Sequence, residues 1–152
     1  MDRLLQDTVA CRHPRISAAE HRGCCGGACA EAGWIQVTRL LMEQMQAYFE
    51  GRACDFTVQT DWLTGTDFQR AIWRAAQQIE YGKTCGYGEL AALAGHPGAA
   101  RAVGGCMAAN PTPLLVPCHR VVSASGKLVG FSATGGVETK QRLLELERGT
   151  LL

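Results

Sequence analysis

Glycine and proline residues divide the second half of this chain into short segments. Between Thr66 and Ala109 the apolar residues recur at helical spacing, but the pattern is interrupted at Tyr81-Gly82 and again at residues 95–98. Asn110-Pro111 must end the last of these helices, because the residue before a proline is driven out of the helical region. This part of the chain can therefore fold only as short helices joined by tight turns.

Three helices are predicted in this region. The first begins at Thr66, which forms a capping-box pattern with Gln69. A short second helix covers about residues 87–94, and a tight turn at residues 96–98 follows it. A third helix then covers about residues 99–109, and Pro97 would suit its first turn. The second and third helices, joined by a turn that contains glycine, make a helix-turn-helix pattern. The buried stripe of the first helix consists of Phe68, Ile72, Ala75, Ala76 and Ile79.

The third helix carries small side chains on nearly every side. Such a helix suits two environments. It can press its backbone into a groove of a binding partner, or it can pack tightly inside the protein. Composition alone leaves both possibilities open.

The N-terminal part follows a different pattern. Apolar residues at helical spacing over 37–49 predict a helix, which Gly51 is placed to end. Residues 56–62 then alternate in polarity, which predicts a short half-buried strand near Phe56, and Thr64-Gly65 forms a turn. We therefore predict a reduced α/β segment over residues 1–63 and a main domain over residues 64–152.

Residues 1–33 are rich in cysteine and show no clear helix or strand period. Tetrahedral zinc takes four thiolate or imidazole ligands, usually in closely spaced pairs. The pairs present here are tolerable but unlike a standard zinc finger, so a structural zinc and a set of unpaired cysteines both remain open. The candidate ligands are Cys11, His13, Cys24, Cys25 and Cys29.

Length and charge limit the number of domains and the ways in which the chain could bind nucleic acid. At 152 residues with a net charge of +1, the chain is long enough for one domain with a real core, but it is not strongly basic. Any nucleic-acid binding must therefore use backbone amides, helix dipoles and a few placed arginines as well as bulk charge. We find neither a secretory signal nor an apolar run that could span a bilayer, and we expect a cytoplasmic protein with reduced thiols.

Cys118-His119 is the pair with the clearest chemical potential. A thiol becomes a nucleophile only as the thiolate, which a neighbouring base or cation favours. Side chains that are adjacent in sequence need not face each other, so the dipeptide alone is weak evidence. The alternative is a buried cysteine beside an unrelated histidine.

The surrounding motifs decide between these alternatives. Pro117-Cys118-His119-Arg120-Val121 resembles the active-site signature of the O6-alkylguanine-DNA alkyltransferases, and further matches follow the order and nearly the spacing of that family from about residue 64 to 148. They are Thr66-Asp67-Phe68-Gln69, Trp73, Tyr81-Gly82-Lys83-Thr84, Tyr87-Gly88-Glu89-Leu90-Ala91, Ala99-Ala100-Arg101-Ala102-Val103-Gly104, Asn110-Pro111, Gly130-Phe131-Ser132, Gly135-Gly136, Lys140, Leu143-Leu144 and Glu147.

The resemblance implies a catalytic set. Cys118 would accept the alkyl group, and His119 would draw the proton from its thiol through a water molecule. Glu147 would orient His119, as the third member of a nucleophile, base and orienter set. Tyr87 would press on the phosphate beside the target nucleotide and supply a proton to the leaving guanine. Two further residues, Arg120 and Lys140, would be structural.

The resemblance also implies a DNA-binding surface and a substrate pocket. Arg101 would enter the duplex and fill the gap that the flipped base leaves. The helix that carries it would lie against the DNA, in the minor groove as in the family, through Ala99, Ala100, Ala102 and Gly104. The pocket for the flipped guanine would be formed by Met107, Pro113, Val116, Phe131 and Ser132, with Asn110 holding the turn beside it.

The resemblance also implies a fold and a function for the whole chain. The chain would be an α/β protein, mostly helical, with a winged helix-turn-helix-like core, acting as a monomer on double-stranded DNA and not at a membrane. It would transfer one alkyl group from O6-alkylguanine, and also from O4-alkylthymine, to Cys118 without a cofactor. Two alternatives compete: a binding module of the alkyltransferase-like class, which lacks the cysteine, and a thiol hydrolase, which would leave Arg101 without a purpose.

Overall fold

A computed structural model of the chain describes residues 28–61 and 64–150. Within these residues the fold is mostly helical with one small parallel sheet, which confirms the predicted α/β class. Residues Val37–Leu152 form one compact unit, to which most of the first helix belongs. The elements are α1 (Ala28–Phe49), α2 (Asp67–Ala76), β1 (Cys85–Gly86), α3 (Tyr87–Leu93), α4 (Ala100–Ala108), a 3-10 helix (Cys118–Arg120), β2 (Val121–Val122) and α5 (Gly136–Glu147).

The start of α2 is fixed by the predicted capping box. The Thr66 hydroxyl accepts a hydrogen bond from the Gln69 backbone N–H at 3.2 Å, and the Gln69 side chain accepts one from the Thr66 N–H at 2.8 Å. Two backbone donors that the first turn would leave unpaired are thereby satisfied. The helix then buries Ile72, Trp73 and Ala76 in the core.

Removing the cap should weaken the fold measurably. We expect Thr66→Ala to lower the free energy of unfolding by about 1 kcal/mol, because one donor of the first turn loses its partner. Urea unfolding followed by circular dichroism measures this loss. Thr66→Ser is the matched control, since it keeps the hydroxyl and should lie close to the wild type. Equal stability of the alanine variant would show that the capping box contributes nothing.

Helices α3 and α4 pack against each other and against α2, as the helix-turn-helix pattern predicts. The tight turn predicted at residues 96–98 is present, and α4 starts at Ala100, one residue after the predicted start. Gly98 adopts a left-handed backbone with φ of +86°, so Pro97 lies in that turn and not in the first turn of the helix, where it was also expected to fit. One face of α4 is buried while Arg101 and Ala102 lie on the exposed face. Its small side chains therefore serve both packing and an open surface.

The predicted strand near Phe56 is not formed in residues 50–61, and Trp62 lies outside the described residues. The expected alternation of half-buried and exposed side chains is present, but a strand also requires a neighbouring strand to complete its hydrogen bonds. Here Gln44 of α1 binds this segment instead. Its amide oxygen accepts from the Thr57 N–H at 3.2 Å, and its amide nitrogen donates to the Thr57 hydroxyl at 2.6 Å. The described part of the N-terminal segment is therefore helix followed by extended chain.

The two-stranded sheet positions the site. Strands β1 and β2 are parallel, with Cys85 opposite Val121 and Gly86 opposite Val122. Because β1 leads directly into Tyr87 and β2 directly follows the Cys118–Arg120 turn, this short ladder holds those two segments side by side. Among the helices that the structure describes, none is long and apolar enough to cross a membrane.

Candidate active site

A cavity of about 800 Å³ opens beside Cys118. Its helical side is lined by five of the predicted DNA-binding and pocket residues, and its loop side by two more, Phe131 and Ser132. Sequence reasoning missed Ser123, Ala124 and Val129 on the loop side, because these residues have no chemical signature of their own. The helical residues are Tyr87, Ala100, Arg101, Gly104 and Met107.

Five other predicted residues do not line this cavity in the described structure: Ala99, Ala102, Asn110, Pro113 and Val116. Val116 is fully buried behind the nucleophile, where its carbonyl accepts the Cys118 N–H at 2.8 Å. The same carbonyl accepts the Asn110 amide at 2.8 Å, while the Asn110 side-chain oxygen accepts the Thr112 N–H at 3.0 Å. Asn110 thus ties the end of α4 to the segment that carries Cys118.

Cys118 begins the 3-10 helix, is only 5% exposed and lines the cavity. Burial raises the pKa of the Cys118 thiol, while hydrogen bonding to Asn110 and the charge of Lys140 lower that pKa in part. The net direction is upward. In the resting protein the thiol therefore keeps its proton, and a base must remove that proton before sulfur can attack.

The base follows this cysteine in the 3-10 turn, and its carboxylate partner is the last residue of α5. Nε2 of His119 is 2.7 Å from Oε1 of Glu147, and both side chains are almost wholly buried. Arg120 donates from Nε to both carboxylate oxygens at 3.1 and 3.0 Å, and from a terminal nitrogen to Oε1 at 3.0 Å. The Gly82 N–H adds a fifth bond, to Oε2 at 2.9 Å. The 3-10 turn is what places His119 and Arg120 together on one carboxylate.

The protonation states follow from this network. Burial alone would raise the pKa of Glu147, but hydrogen bonds from His119 and Arg120 outweigh it and lower that pKa to about 2. Burial, together with the charges of Arg120 and Lys140, lowers the pKa of His119 despite the hydrogen bond and the charge of Glu147, which raise it. Glu147 is therefore ionised beside a neutral imidazole. Since a carboxylate only accepts, the ring proton belongs on Nε2, and Nδ1 is left with a lone pair.

Nδ1 of His119 has no hydrogen-bond partner among the described protein atoms, although it is buried. Buried polar atoms are rarely left unsatisfied, and a bound water is the usual partner. A lone pair on the imidazole, next in sequence to a protonated thiol, is the arrangement that a water-mediated base requires.

Lys140 was predicted to be structural, and its position gives it an electrostatic effect as well. The side chain is fully buried, and its ammonium donates to the backbone carbonyls of Val121 at 2.6 Å and Val129 at 3.3 Å. Burial lowers the pKa of Lys140, while the proximity of Cys118 raises it. The ammonium therefore holds the cavity loop to β2 and favours negative charge on the sulfur.

Tyr87, the first residue of α3, forms part of the cavity wall, and the Lys140 ammonium lies 6.0 Å from the centroid of its ring. Its hydroxyl donates to the Val129 carbonyl at 3.3 Å, a long hydrogen bond that a substrate could replace. Burial and the nearby Cys118 raise the pKa of the Tyr87 phenol, so it remains a proton donor at neutral pH.

Tyr48 of α1 also reaches the site, where its hydroxyl donates to Oε1 of Glu147 at 2.9 Å. In the sequence, Tyr48 is one of the residues at helical spacing that predict a helix over 37–49. A buried tyrosine does need a partner for its hydroxyl, but nothing in the sequence identified a carboxylate 99 positions away as that partner.

No group of three or more His, Cys, Asp or Glu side chains in the described residues could hold a metal ion. The predicted zinc ligands are not among those residues: Cys11, His13, Cys24 and Cys25 precede residue 28, and of Cys29 only the backbone is described, in α1. The zinc site therefore remains a prediction.

Comparisons with known proteins agree with this geometry. A family model described as 6-O-methylguanine DNA methyltransferase, DNA binding domain, matches residues 67–149. A methylated-DNA–protein-cysteine methyltransferase of Mycolicibacterium paratuberculosis is 49% identical over 122 residues, which are 78% of this chain and 72% of that protein. The protein of the same name from Mycobacterium tuberculosis strain H37Rv is 51% identical over 107 residues, 70% of this chain and 63% of its own.

A solved structure agrees as well. The crystal structure of Mycobacterium tuberculosis OGT in complex with DNA matches with a TM-score of 0.67 and 50% identity, covering 72% of this chain and 65% of that one. The chain thus spans between 63% and 72% of the length of these relatives. The family model covers more than half of the chain. The matched residues include the 3-10 turn with Cys118 and His119 and the helix with Glu147. On this evidence the chain belongs to the 6-O-methylguanine DNA methyltransferase family.

Proposed function

We propose that this protein repairs alkylated double-stranded DNA by transferring one alkyl group from O6 of guanine, and also from O4 of thymine, to the sulfur of Cys118. The observation that carries the proposal is a protonated thiol in the wall of an open cavity, followed in the same 3-10 turn by a histidine whose imidazole binds an ionised Glu147. We assign residues 64–152 as the catalytic and DNA-binding domain and residues 1–63 as an N-terminal segment.

The bonds made and broken balance without a cofactor. The thiol proton of Cys118 passes through a bridging water to Nδ1 of His119, and the resulting imidazolium is stabilised by Glu147. The thiolate attacks the alkyl carbon, forming a C–S bond while the C–O6 bond breaks. The electron pair stays with guanine, which takes a proton from the Tyr87 hydroxyl. The product is a thioether; solvent restores the lost proton of Tyr87 and takes up the proton that His119 received from the thiol.

A thioether is stable in water, and the described residues include no group placed to hydrolyse it. Each molecule should therefore act once. Because the reaction needs a free thiol, we also propose that the protein works in a reducing compartment such as the cytoplasm, and that a single protein chain is sufficient for the reaction.

The proposed DNA-binding face is the side of α4 that lies at the cavity. Arg101 is exposed at the rim of the cavity, while Ala100 and Gly104 form part of its wall with side chains too small to obstruct a duplex. An arginine at this rim is placed to fill the gap left by an extruded base, and extrusion costs a few kcal/mol that such a contact offsets. Apart from Arg101, the described residues of α4 carry no long polar side chain that could read base edges, so sequence preference should be mild.

The function is tested by intact mass. We expect the protein, incubated with a duplex that contains O6-methylguanine, to gain one methyl group, to carry it on Cys118, and to restore no more than one equivalent of guanine. A duplex with unmodified guanine is the control and should leave the mass unchanged. Binding without any mass gain would favour the alkyltransferase-like binding module, and repeated turnover would favour a hydrolase.

Arg101→Ala should separate DNA handling from chemistry. We expect transfer from duplex O6-methylguanine to slow by roughly tenfold or more, because the extruded base is no longer replaced in the stack, while transfer from O6-benzylguanine as a free base stays near wild type. Arg142→Ala is the control: it removes the same charge from an exposed site on α5 that does not line the cavity. Equal losses with duplex and free base would overturn this role for Arg101.

A further inference from the structure

Tyr48 joins the N-terminal helix to the active site. It lies near the end of α1 and is fully buried, although most of the neighbouring residues on that helix are exposed or half-buried. Its ring packs against Phe56, Tyr81 and His119, with centroid distances of 5.7, 5.9 and 6.4 Å. The side chain therefore extends from α1 into the layer that contains the catalytic imidazole.

The Tyr48 hydroxyl meets the two atoms that orient the base. It donates to Oε1 of Glu147 at 2.9 Å, and its oxygen lies 3.4 Å from Nε2 of His119. Burial and the adjacent Glu147 raise the pKa of Tyr48, so the phenol keeps its proton and acts as a donor to the carboxylate. Since that proton is directed to Glu147, the phenol oxygen can only accept from the ring, which again requires hydrogen on Nε2.

The carboxylate oxygen that contacts the imidazole is the same one that Tyr48 binds. Oε1 of Glu147 receives His119, Arg120 and Tyr48, whereas Oε2 receives Arg120 and the Gly82 N–H. His119 and Arg120 come from one three-residue turn, so the other two donors fix the carboxylate against the rest of the protein. The Gly82 N–H binds Oε2, and Tyr48 of α1 is the partner that fixes Oε1, the oxygen facing the imidazole.

We propose that Tyr48 is a positioning residue for the alkyl transfer: its hydroxyl holds Oε1 of Glu147 against the Nε2–H of His119, and so keeps Nδ1 free to receive the proton from Cys118. The inference rests on the proposed function, because Tyr48 acts through Glu147 and His119 and does not touch the substrate cavity in the described structure. It makes α1, which lies outside the matched family model, a working part of the active site.

Tyr48→Phe removes one oxygen and keeps the ring. In a single-turnover reaction with duplex O6-methylguanine we expect the transfer rate constant to fall by roughly tenfold, as for loss of a hydrogen bond to a charged group. The amplitude, which counts correctly folded molecules, should stay near one methyl per protein. Tyr81→Phe is the matched control, since its hydroxyl lies in the same aromatic cluster and has no partner among the described residues. It should keep the wild-type rate.

The pH profile separates positioning from mere packing. The charged and titratable groups around His119 are Glu147 and Lys140 from α5, Cys118 and Arg120 from its own turn, and Tyr48 from α1. Without the Tyr48 hydrogen bond, the negative charge of Glu147 stabilises the protonated His119 ring more strongly. We therefore expect the pKa of His119 to rise in Tyr48→Phe, which moves the acid limb of the rate profile to higher pH. A packing defect would lower the amplitude equally at every pH.

NMR titration of the His119 ring in wild type, Tyr48→Phe and Tyr81→Phe gives a readout that does not depend on transfer. A higher His119 pKa in Tyr48→Phe alone supports the inference. If the wild type transfers methyl groups and Tyr48→Phe matches it in rate and in the His119 titration, the inference is overturned. If the wild type transfers nothing, the proposed function fails, and the titration still decides whether Tyr48 controls the His119–Glu147 pair.

Discussion

A Cys118→Ala protein should bind a duplex containing O6-methylguanine about as tightly as the wild type and never gain a methyl group. The substitution removes the sulfur and leaves the surface of α4, the rim arginine and the cavity walls intact. Because no hydroxyl or water in this site can substitute for a thiolate in attacking an alkyl carbon, we expect transfer to fall below detection. Fluorescence anisotropy measures binding, and intact mass measures transfer.

Cys106→Ala is the matched control for this prediction. Cys106 is also buried, at 4% exposed, and burial likewise raises its pKa, but it faces the core from α4 and does not line the cavity. Its removal should leave one methyl on Cys118. A methylated Cys118→Ala protein, or a methyl on Cys106 in the wild type, would show that the acceptor had been assigned to the wrong sulfur.

The helices around the site could be predicted because local signals define them. The Thr66 and Gln69 capping box, the breaks at Gly95 and Asn110-Pro111 and the apolar stripes all act within a few residues, and the structure contains α2, α3 and α4 in that order. The turn at residues 96–98 and the start of α4 were predicted to within one residue, although Pro97 also suits a first helical turn. The left-handed conformation of Gly98 places Pro97 in the turn, and that conformation is not visible in residue types.

The strand near Phe56 shows a different limit. Alternating polarity reports which side chains face the protein, and the half-buried pattern over residues 52–61 agrees with it. It does not report whether a second strand lies alongside. In this chain the backbone of Thr57 is bound by Gln44 from α1, a contact between residues 13 positions apart that periodicity cannot reveal.

The residues of the site also divide into those that a sequence motif marks and those that only packing brings together. Cys118, His119 and Glu147 could be named because a family motif marks each of them, although only the coordinates show that Arg120 and Gly82 complete the carboxylate. Tyr48 had no such mark, since a tyrosine on an apolar stripe has the pattern of a core residue. Long-range hydrogen bonds depend on how elements pack, and a single sequence does not encode them in its local pattern.

Glu147→Gln should damage both the stability of the protein and its reaction. The amide keeps the volume of the carboxylate but carries no charge, so Arg120, 4% exposed, becomes a buried cation without its counter-ion. Breaking one side of a buried pair costs about 3–5 kcal/mol, and we expect a loss of that order in the free energy of unfolding at pH 7. The imidazole also loses the acceptor that selects Nε2–H, so transfer should slow by about two orders of magnitude or more.

The lowered pKa of Glu147 predicts how the stability difference between the wild type and Glu147→Gln depends on pH. Glu147 has a pKa of about 2 in the folded protein against an ordinary value of 4.5, so its contribution is present above pH 4.5 and is lost as pH falls toward 2. The gap between wild type and Glu147→Gln in urea unfolding should therefore be widest near neutrality and close on acidification below pH 4.5. Glu138→Gln is the control, because Glu138 is 72% exposed and pairs with Arg142 at the surface, where an ion pair contributes little. If Glu147→Gln matched the wild type at pH 7, the buried carboxylate would not be what holds His119 and Arg120 together.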